Sequence, residues 1–165
     1  MNWHDIDIGP AGKAGIEARV ATSGTTAYLY IHGSDHRYDW LHHIRPGAAR
    51  REIGWGRQLF DAIYVGNMHV YVIGGHSLGG AVAQVLATLL VMRGAAVELH
   101  TYGGKRPPNR YDMAGSHYRH RGDVVPWLNI LRPNQPRIRI GNWTWPWVAH
   151  GPRTYYHEME KAGLR

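Results

Sequence analysis

The 165-residue chain contains no cysteine. That excludes disulfide staples, thiolate nucleophiles and cysteine-held metals, and it leaves the compartment open. Phenylalanine occurs once, so the aromatic content rests on 7 Trp and 10 Tyr, rings that suit half-wet surfaces such as clefts. Long apolar runs are also missing. The longest, around residues 81–92, is too short and too interrupted to span a bilayer. The first residues, Met1-Asn2-Trp3-His4-Asp5-Ile6-Asp7, lack the basic and apolar regions of a secretory leader. A soluble protein is expected, cytosolic unless exported by another route. Acidic side chains are scarce, 12 against 19 Lys and Arg, for a net charge of +7. Such an excess attracts anionic surfaces. The basic residues are scattered, however, with mild clusters at Arg45, Arg50, Arg51, Arg57 and at Arg132, Arg137, Arg139. Neither cluster lies in a nucleic-acid motif, so nucleic acid is not an expected partner.

With 44% hydrophobic and 19% charged residues the composition is that of a globular chain. The length suits one domain over residues 1–165. The stretch that organises it is Val70-Tyr71-Val72-Ile73-Gly74-Gly75-His76-Ser77-Leu78-Gly79-Gly80-Ala81. A β-branched run enters, an Ala- and Leu-rich helical pattern leaves, and Gly75-x-Ser77-x-Gly79 lies between. This is the pattern of a nucleophile elbow, in which a sharp strand-to-helix turn carries the serine. The residues two before and two after must be small, because strand and helix pass close together. The helix start aims N–H groups and partial positive charge at the serine hydroxyl, so an anion forming beside Ser77 is stabilised.

Around that stretch the chain alternates strand and helix. Residues 16–21 and 27–31 form an expected hairpin across Thr22-Ser23-Gly24-Thr25. Tyr38-Asp39-Trp40-Leu41-His42-His43-Ile44 is a mixed apolar and basic segment, a candidate lid. Trp55, Leu59 and Ile63 make the buried stripe of a helix reaching about Val65. A strand over 68–73, the elbow, a helix from about Gly79 to Arg93 and a strand over 97–102 form a βαβ unit, which implies a parallel core sheet. Residues 117–120 read as a short strand. Residues 138–140 and 143–145 read as a small hairpin. Trp143, Trp145 and Trp147 then alternate onto one face, which is expected to cover a small core, a ligand platform being the second reading. Residues 154–162 carry a helical pattern.

A serine nucleophile needs a base, and the base needs an orienting carboxylate. In elbow enzymes the chain order is Ser, acid, His. Of the acids after Ser77, Asp123 stands just past a strand, where open α/β sheets gather reactive groups, and is the best candidate. Asp112 lies in a loop without such a strand, and Glu98 begins a strand at the wrong end. His150 and His157 both follow Asp123 and both are candidate bases. His76 flanks the elbow and is expected to point away from Ser77 in a structural role. His42, His43 and the His32/His36 pair lack companion carboxylates, so no metal and no cofactor are expected.

At this point the sequence resembles the class 3, fungal-type lipases, a branch of the α/β hydrolases. Gly75-His76-Ser77-Leu78-Gly79-Gly80-Ala81 is similar to their elbow, and Tyr30-Ile31-His32-Gly33-Ser34 to their strand ending in Arg-Gly-Thr/Ser. Asp39-Trp40-Leu41 resembles the start of their lid. Thr101-Tyr102-Gly103-Gly104-Lys105-Arg106-Pro107-Pro108-Asn109 resembles Thr-Phe-Gly-Ala-Pro-Arg-x-Gly-Asn. Arg121-Gly122-Asp123-Val124-Val125-Pro126 resembles the acid loop, and His150 followed by Tyr155 resembles His-x-x-x-x-Tyr. The resemblance runs from about residue 28 to 155. It implies an α/β-hydrolase-type, mostly parallel sheet with flanking helices, reduced in size. It also implies Ser77 as nucleophile, His150 as base and Asp123 as acid, with Leu78 N–H and Ser34 as the oxyanion hole and Trp40 in a lid or its remnant. The implied activity is ester hydrolysis through an acyl-enzyme on a small-molecule or lipid ester, with a possible lipid interface. His32 stands where the family has Arg, and Gly104-Lys105 where it has Ala-Pro. A phospholipase, or a catalytically silent module binding anionic lipid or a protein, are the other readings the sequence admits.

Overall fold

The computed structural model describes residues 1–8, 15–33, 48–64, 68–104, 114–125 and 137–163. Among the described residues seven strands form one sheet in chain order: β1 (His4–Ile8), β2 (Ile16–Ser23), β3 (Thr26–Ile31), β4 (Val70–His76), β5 (Ala96–Tyr102), β6 (Ala114–His120) and β7 (Arg137–Ile140). β1, β2 and β3 pair antiparallel, and from β3 to β7 every pairing is parallel. Helix α1 (Ala48–Ile63) precedes β4, α2 (Leu78–Met92) joins β4 to β5, and α3 (Pro146–Ala149) and α4 (Pro152–Lys161) follow β7. This is the expected mostly parallel sheet with flanking helices.

The parallel half follows from the sequence. β3 and β4 alternate buried and partly exposed positions, with Leu29, Ile31, Tyr71 and Ile73 inside. α2 is apolar nearly all round, as a helix must be when both of its sides are covered. Val82, Leu86 and Leu90 are fully buried in the same core as Leu59 of α1 and Ile73 of β4. Truncating a side chain such as Leu86 to Ala costs about 2–5 kcal/mol in such a setting. Glycine sets the spacing between the helices: a Cβ on Gly56 of α1 would stand 2.5 Å from Val85 Cγ1 of α2. α1 therefore buries Glu52, Gly56, Leu59, Phe60 and Ile63, and Trp55 of the expected stripe lies half-buried at its margin.

Two expectations are corrected, and one strand is found where none was expected. The N-terminal residues form an edge strand, β1, whose alternating Asp5, Ile6, Asp7 and Ile8 match period two. Residues 138–145 are not a hairpin. β7 pairs parallel with β6, so no second strand folds back on it, and Gly141 with φ 69° ends β7 instead of turning a hairpin. The three tryptophans cover no core. They stand exposed around α3, because Pro146 opens a helical turn where alternation would have continued a strand.

Parallel pairing aligns strand ends. Ile31 of β3 faces Gly75 of β4, and His76 faces Tyr102 of β5. Beyond the last rungs, Ser77 N–H donates to Tyr102 O (2.9 Å) and Gly103 N–H to Tyr118 O (3.1 Å), so the backbone stays registered past β4 and β5. The segments leaving β4, β6 and β7 thus emerge on one rim of the sheet.

Candidate active site

Ser77 sits between β4 and α2 with φ 54° and ψ −119°, the only non-glycine with positive φ among the described residues. Such a conformation is costly for a side-chain-bearing residue and holds only where the surroundings enforce it. Here the enforcement is glycine. A Cβ on Gly75 would lie 2.5 Å from Gly79 O, and one on Gly79 would collide with the carbonyl oxygen of Ile31. Strand and helix therefore cross at backbone contact, and the serine is left at the apex. Leu78 opens α2, whose first-turn N–H groups have no intrahelical acceptor.

The imidazole at this serine belongs to His150, the residue that ends α3. Its Nε2 lies 2.6 Å from Ser77 Oγ and its Nδ1 2.9 Å from Asp123 Oδ2. A carboxylate only accepts, so Nδ1–H donates to Asp123 and the Nε2 lone pair faces the serine hydroxyl. Asp123, in the turn after β6, is fully buried. Two further donors reach it: Tyr155 O–H to Oδ2 at 2.6 Å and Val125 N–H to Oδ1 at 2.9 Å. Three donors offset the cost of removing a carboxylate from water.

Behind the carboxylate, Tyr155 on α4 also accepts from His120 N–H (2.9 Å). Burial, then the charge of Asp123 and the hydrogen bond to it, push the phenol well above its ordinary value of 10, against smaller opposing effects of His120 N–H and Arg119. Tyr155 remains a donor at any ordinary pH. His120 itself is held below 6.5 by burial, partly opposed by Glu158 and Asp123. Its Nδ1 accepts from Gly122 N–H at 3.3 Å, at the turn that carries Asp123.

His76 does not simply face away. Its Nε2 lies 2.7 Å from His150 O, and the two rings are 5.0 Å apart. A carbonyl can only accept, so His76 donates. The residue beside Ser77 thereby holds the backbone of the residue that faces Ser77. Sequence reasoning missed this contact, and it gave Tyr155 no role beyond the His-x-x-x-x-Tyr resemblance. His157 is exposed on α4 and shows no contact with Ser77. Ser34, Trp40, His42, His43 and Asp112 lie outside the described residues. Among the described residues no three His, Asp or Glu side chains converge as metal ligands.

The arrangement can remove a proton from Ser77, hold the resulting imidazolium against a buried carboxylate, and offer helix N–H groups to an oxyanion. Comparison with known proteins bears on what it acts upon. The model of the family "Lipase (class 3)" matches residues 57–130. A secreted mono- and diacylglycerol lipase from Fusarium solani is 42% identical over 66 residues, 35% of this chain and 20% of that protein. The Lip2 lipase of Yarrowia lipolytica superposes with a TM-score of 0.57 at 18% identity, over 84% of this chain and 65% of that one. A variant of MDLA from Penicillium cyclopium superposes with a TM-score of 0.56 at 20% identity, over 82% and 63%. The chain thus spans less than two thirds of the relatives it matches. These likenesses place its sheet and helices in the α/β-hydrolase fold. The expectation of a cytosolic protein is corrected, since the Fusarium relative is a secreted lipase. Absence of cysteine carries no information on compartment. No described helix is long and apolar enough to cross a membrane. The elbow and the acid loop both fall within the residues that the model of the class 3 lipases matches, so this chain is similar to that family at the residues that carry its candidate site.

Proposed function

We propose that the protein is a carboxylic-ester hydrolase of the lipase and esterase type, working through an acyl-enzyme on Ser77. The observation that carries this is the unbroken run of hydrogen bonds from Ser77 Oγ through His150 to Asp123. Ser77 Oγ attacks the ester carbonyl while His150 Nε2 takes its proton. The carbonyl oxygen becomes an oxyanion, and Leu78 N–H with Ser34 stabilise it. One such donor is worth about 10²–10³ in rate. His150 returns the proton to the departing alcohol as the C–O bond breaks. Water, deprotonated by the same imidazole, then releases the acid and restores Ser77. Asp123 keeps Nδ1–H pointed inward and stabilises the transient imidazolium.

The substrate that fits is a lipid or small-molecule ester. The Fusarium relative is a mono- and diacylglycerol lipase, and acylglycerols are the first class to try. No observation favours the phospholipase or the silent binding module. The test is Ser77→Ala with p-nitrophenyl butyrate, alongside labelling by a fluorophosphonate. The unaltered protein should turn over the ester and take one label, and the variant should do neither while keeping its circular dichroism spectrum. Undiminished turnover in the variant would end the proposal.

A further inference from the structure

Three indole rings stand in water next to the candidate site. Trp143, Trp145 and Trp147 are 75%, 68% and 73% exposed, and Trp145 stacks on Trp147 with centroids 5.2 Å apart. Val148 and Tyr156 are exposed as well. An isolated apolar side chain on a surface needs no explanation, but a cluster of the largest ones does. Local structure holds them outward. Trp145 O accepts the N–H groups of Val148 and Ala149, which closes the α3 turn. Ala149 is its buried residue, and a Cβ on Gly122 would stand 3.1 Å from Ala149 Cβ. The turn is thus pinned to the body through Ala149 and Gly122, and it leads directly into His150.

The charges lining the groove beside these rings are one guanidinium and one carboxylate, and they differ in their engagement. A groove of about 480 Å³ next to Trp143 and Val148 is also lined by Arg153, which is exposed and makes no ion pair among the described residues. Glu158, in the same groove, is engaged by Lys161 at 3.0 Å. The whole chain carries +7.

We propose that Trp143, Trp145 and Trp147, with Arg153, form a platform that seats the protein on an anionic lipid surface. Indole rings settle at the headgroup level of a bilayer, with the apolar face inward and the N–H toward water. A free guanidinium beside them meets lipid phosphates. Because the platform runs into the His150 turn, docking there brings the candidate site to the lipid. The proposal draws on the esterase reading only for why a lipid, and not another anionic surface, is met.

The test separates the two. The full chain carrying Ser77→Ala, which cannot turn over lipid, is sedimented with vesicles of phosphatidylcholine alone or with about 30% phosphatidylglycerol, a fraction that gives the surface a clear negative potential. Vesicles with brominated acyl chains report indole insertion by quenching. The expected result is pelleting with the anionic vesicles, with quenching of tryptophan emission. Replacing all three tryptophans by Ser should cut the bound fraction at least tenfold, and Arg153→Glu should cut the preference for anionic vesicles several-fold. Should the triple variant fold poorly, quenching of the unaltered rings still decides. No pelleting, no quenching, or unchanged binding by a folded triple variant would overturn the platform. So would a dimer that dissolves in that variant, which would assign the rings to a second copy. Absence of ester turnover in the unaltered protein would sink the esterase reading and leave vesicle binding standing.

Discussion

His76 Nε2 lies 2.7 Å from the carbonyl oxygen of His150, so the side chain next to the serine anchors the main chain of the imidazole that faces it. Removing this donor should loosen His150 without touching substrate contacts. We expect His76→Ala to lower kcat about tenfold on a soluble ester with KM within twofold, and His76→Gln to recover part of the loss. The lost buried hydrogen bond should also cost about 1 kcal/mol in urea unfolding. A KM effect larger than the kcat effect would show that His76 acts on substrate and not through His150.

Tyr155 contributes one of three donors to a fully buried carboxylate. Tyr155→Phe keeps the ring against His76 and His120 and deletes only the hydroxyl. It should destabilise the fold by about 1–3 kcal/mol, as expected when a charged buried group loses a partner. It should also lower kcat about tenfold. Equal stability in chemical denaturation would contradict the role of that hydroxyl.

His120 makes stability depend on pH. Its folded pKa lies below 6.5 because burial disfavours the charged ring. Between 6.5 and that lower value the unfolded chain binds the proton and the folded chain does not. Stability therefore falls as pH drops through this window and is restored above it. His120→Asn retains an acceptor for Gly122 N–H and does not titrate. Its melting temperature should lose less between pH 7.5 and pH 5 than that of the unaltered protein, and parallel curves would refute the claim.

Two glycines should respond in opposite directions to the same change. A Cβ on Gly75 meets backbone atoms of Gly79 and Gly80 at 2.5–2.9 Å, whereas one on Gly54 of α1 meets nothing within 4 Å. Gly75→Ala should destabilise by about 3 kcal/mol or more, the upper range for overpacking, and lose activity with it. Gly54→Ala should stabilise by about 0.5–1 kcal/mol through helix propensity. Thermal denaturation of both reads the contrast.

Local pattern made the central unit legible. The alternation in β2 and β3, the Gly-x-Ser-x-Gly turn and the apolar wrap of α2 each encode structure within a dozen residues. The misread segments are those where local pattern and tertiary partner disagree. Alternating tryptophans at 143, 145 and 147 mimic a strand face, but Pro146 and the pairing of β7 with β6 decide otherwise. β1 is short, with two aspartates on its face, and only its pairing with β2 makes it a strand. At the site, His150 lies at hydrogen-bond distance from both Ser77 and Asp123. The His76 contact spans 74 residues and depends on how the chain returns, which no spacing in the sequence records.

The order in which the site's parts occur along the chain has a consequence for synthesis. Ser77 precedes His150 by 73 residues, and Tyr155, which closes the network behind Asp123, comes later still. During synthesis Ser77 is thus made well before the imidazole and the phenol that complete its network. The network is complete only once α4 has docked, so a polypeptide clipped before Tyr155 leaves the buried Asp123 carboxylate one donor short.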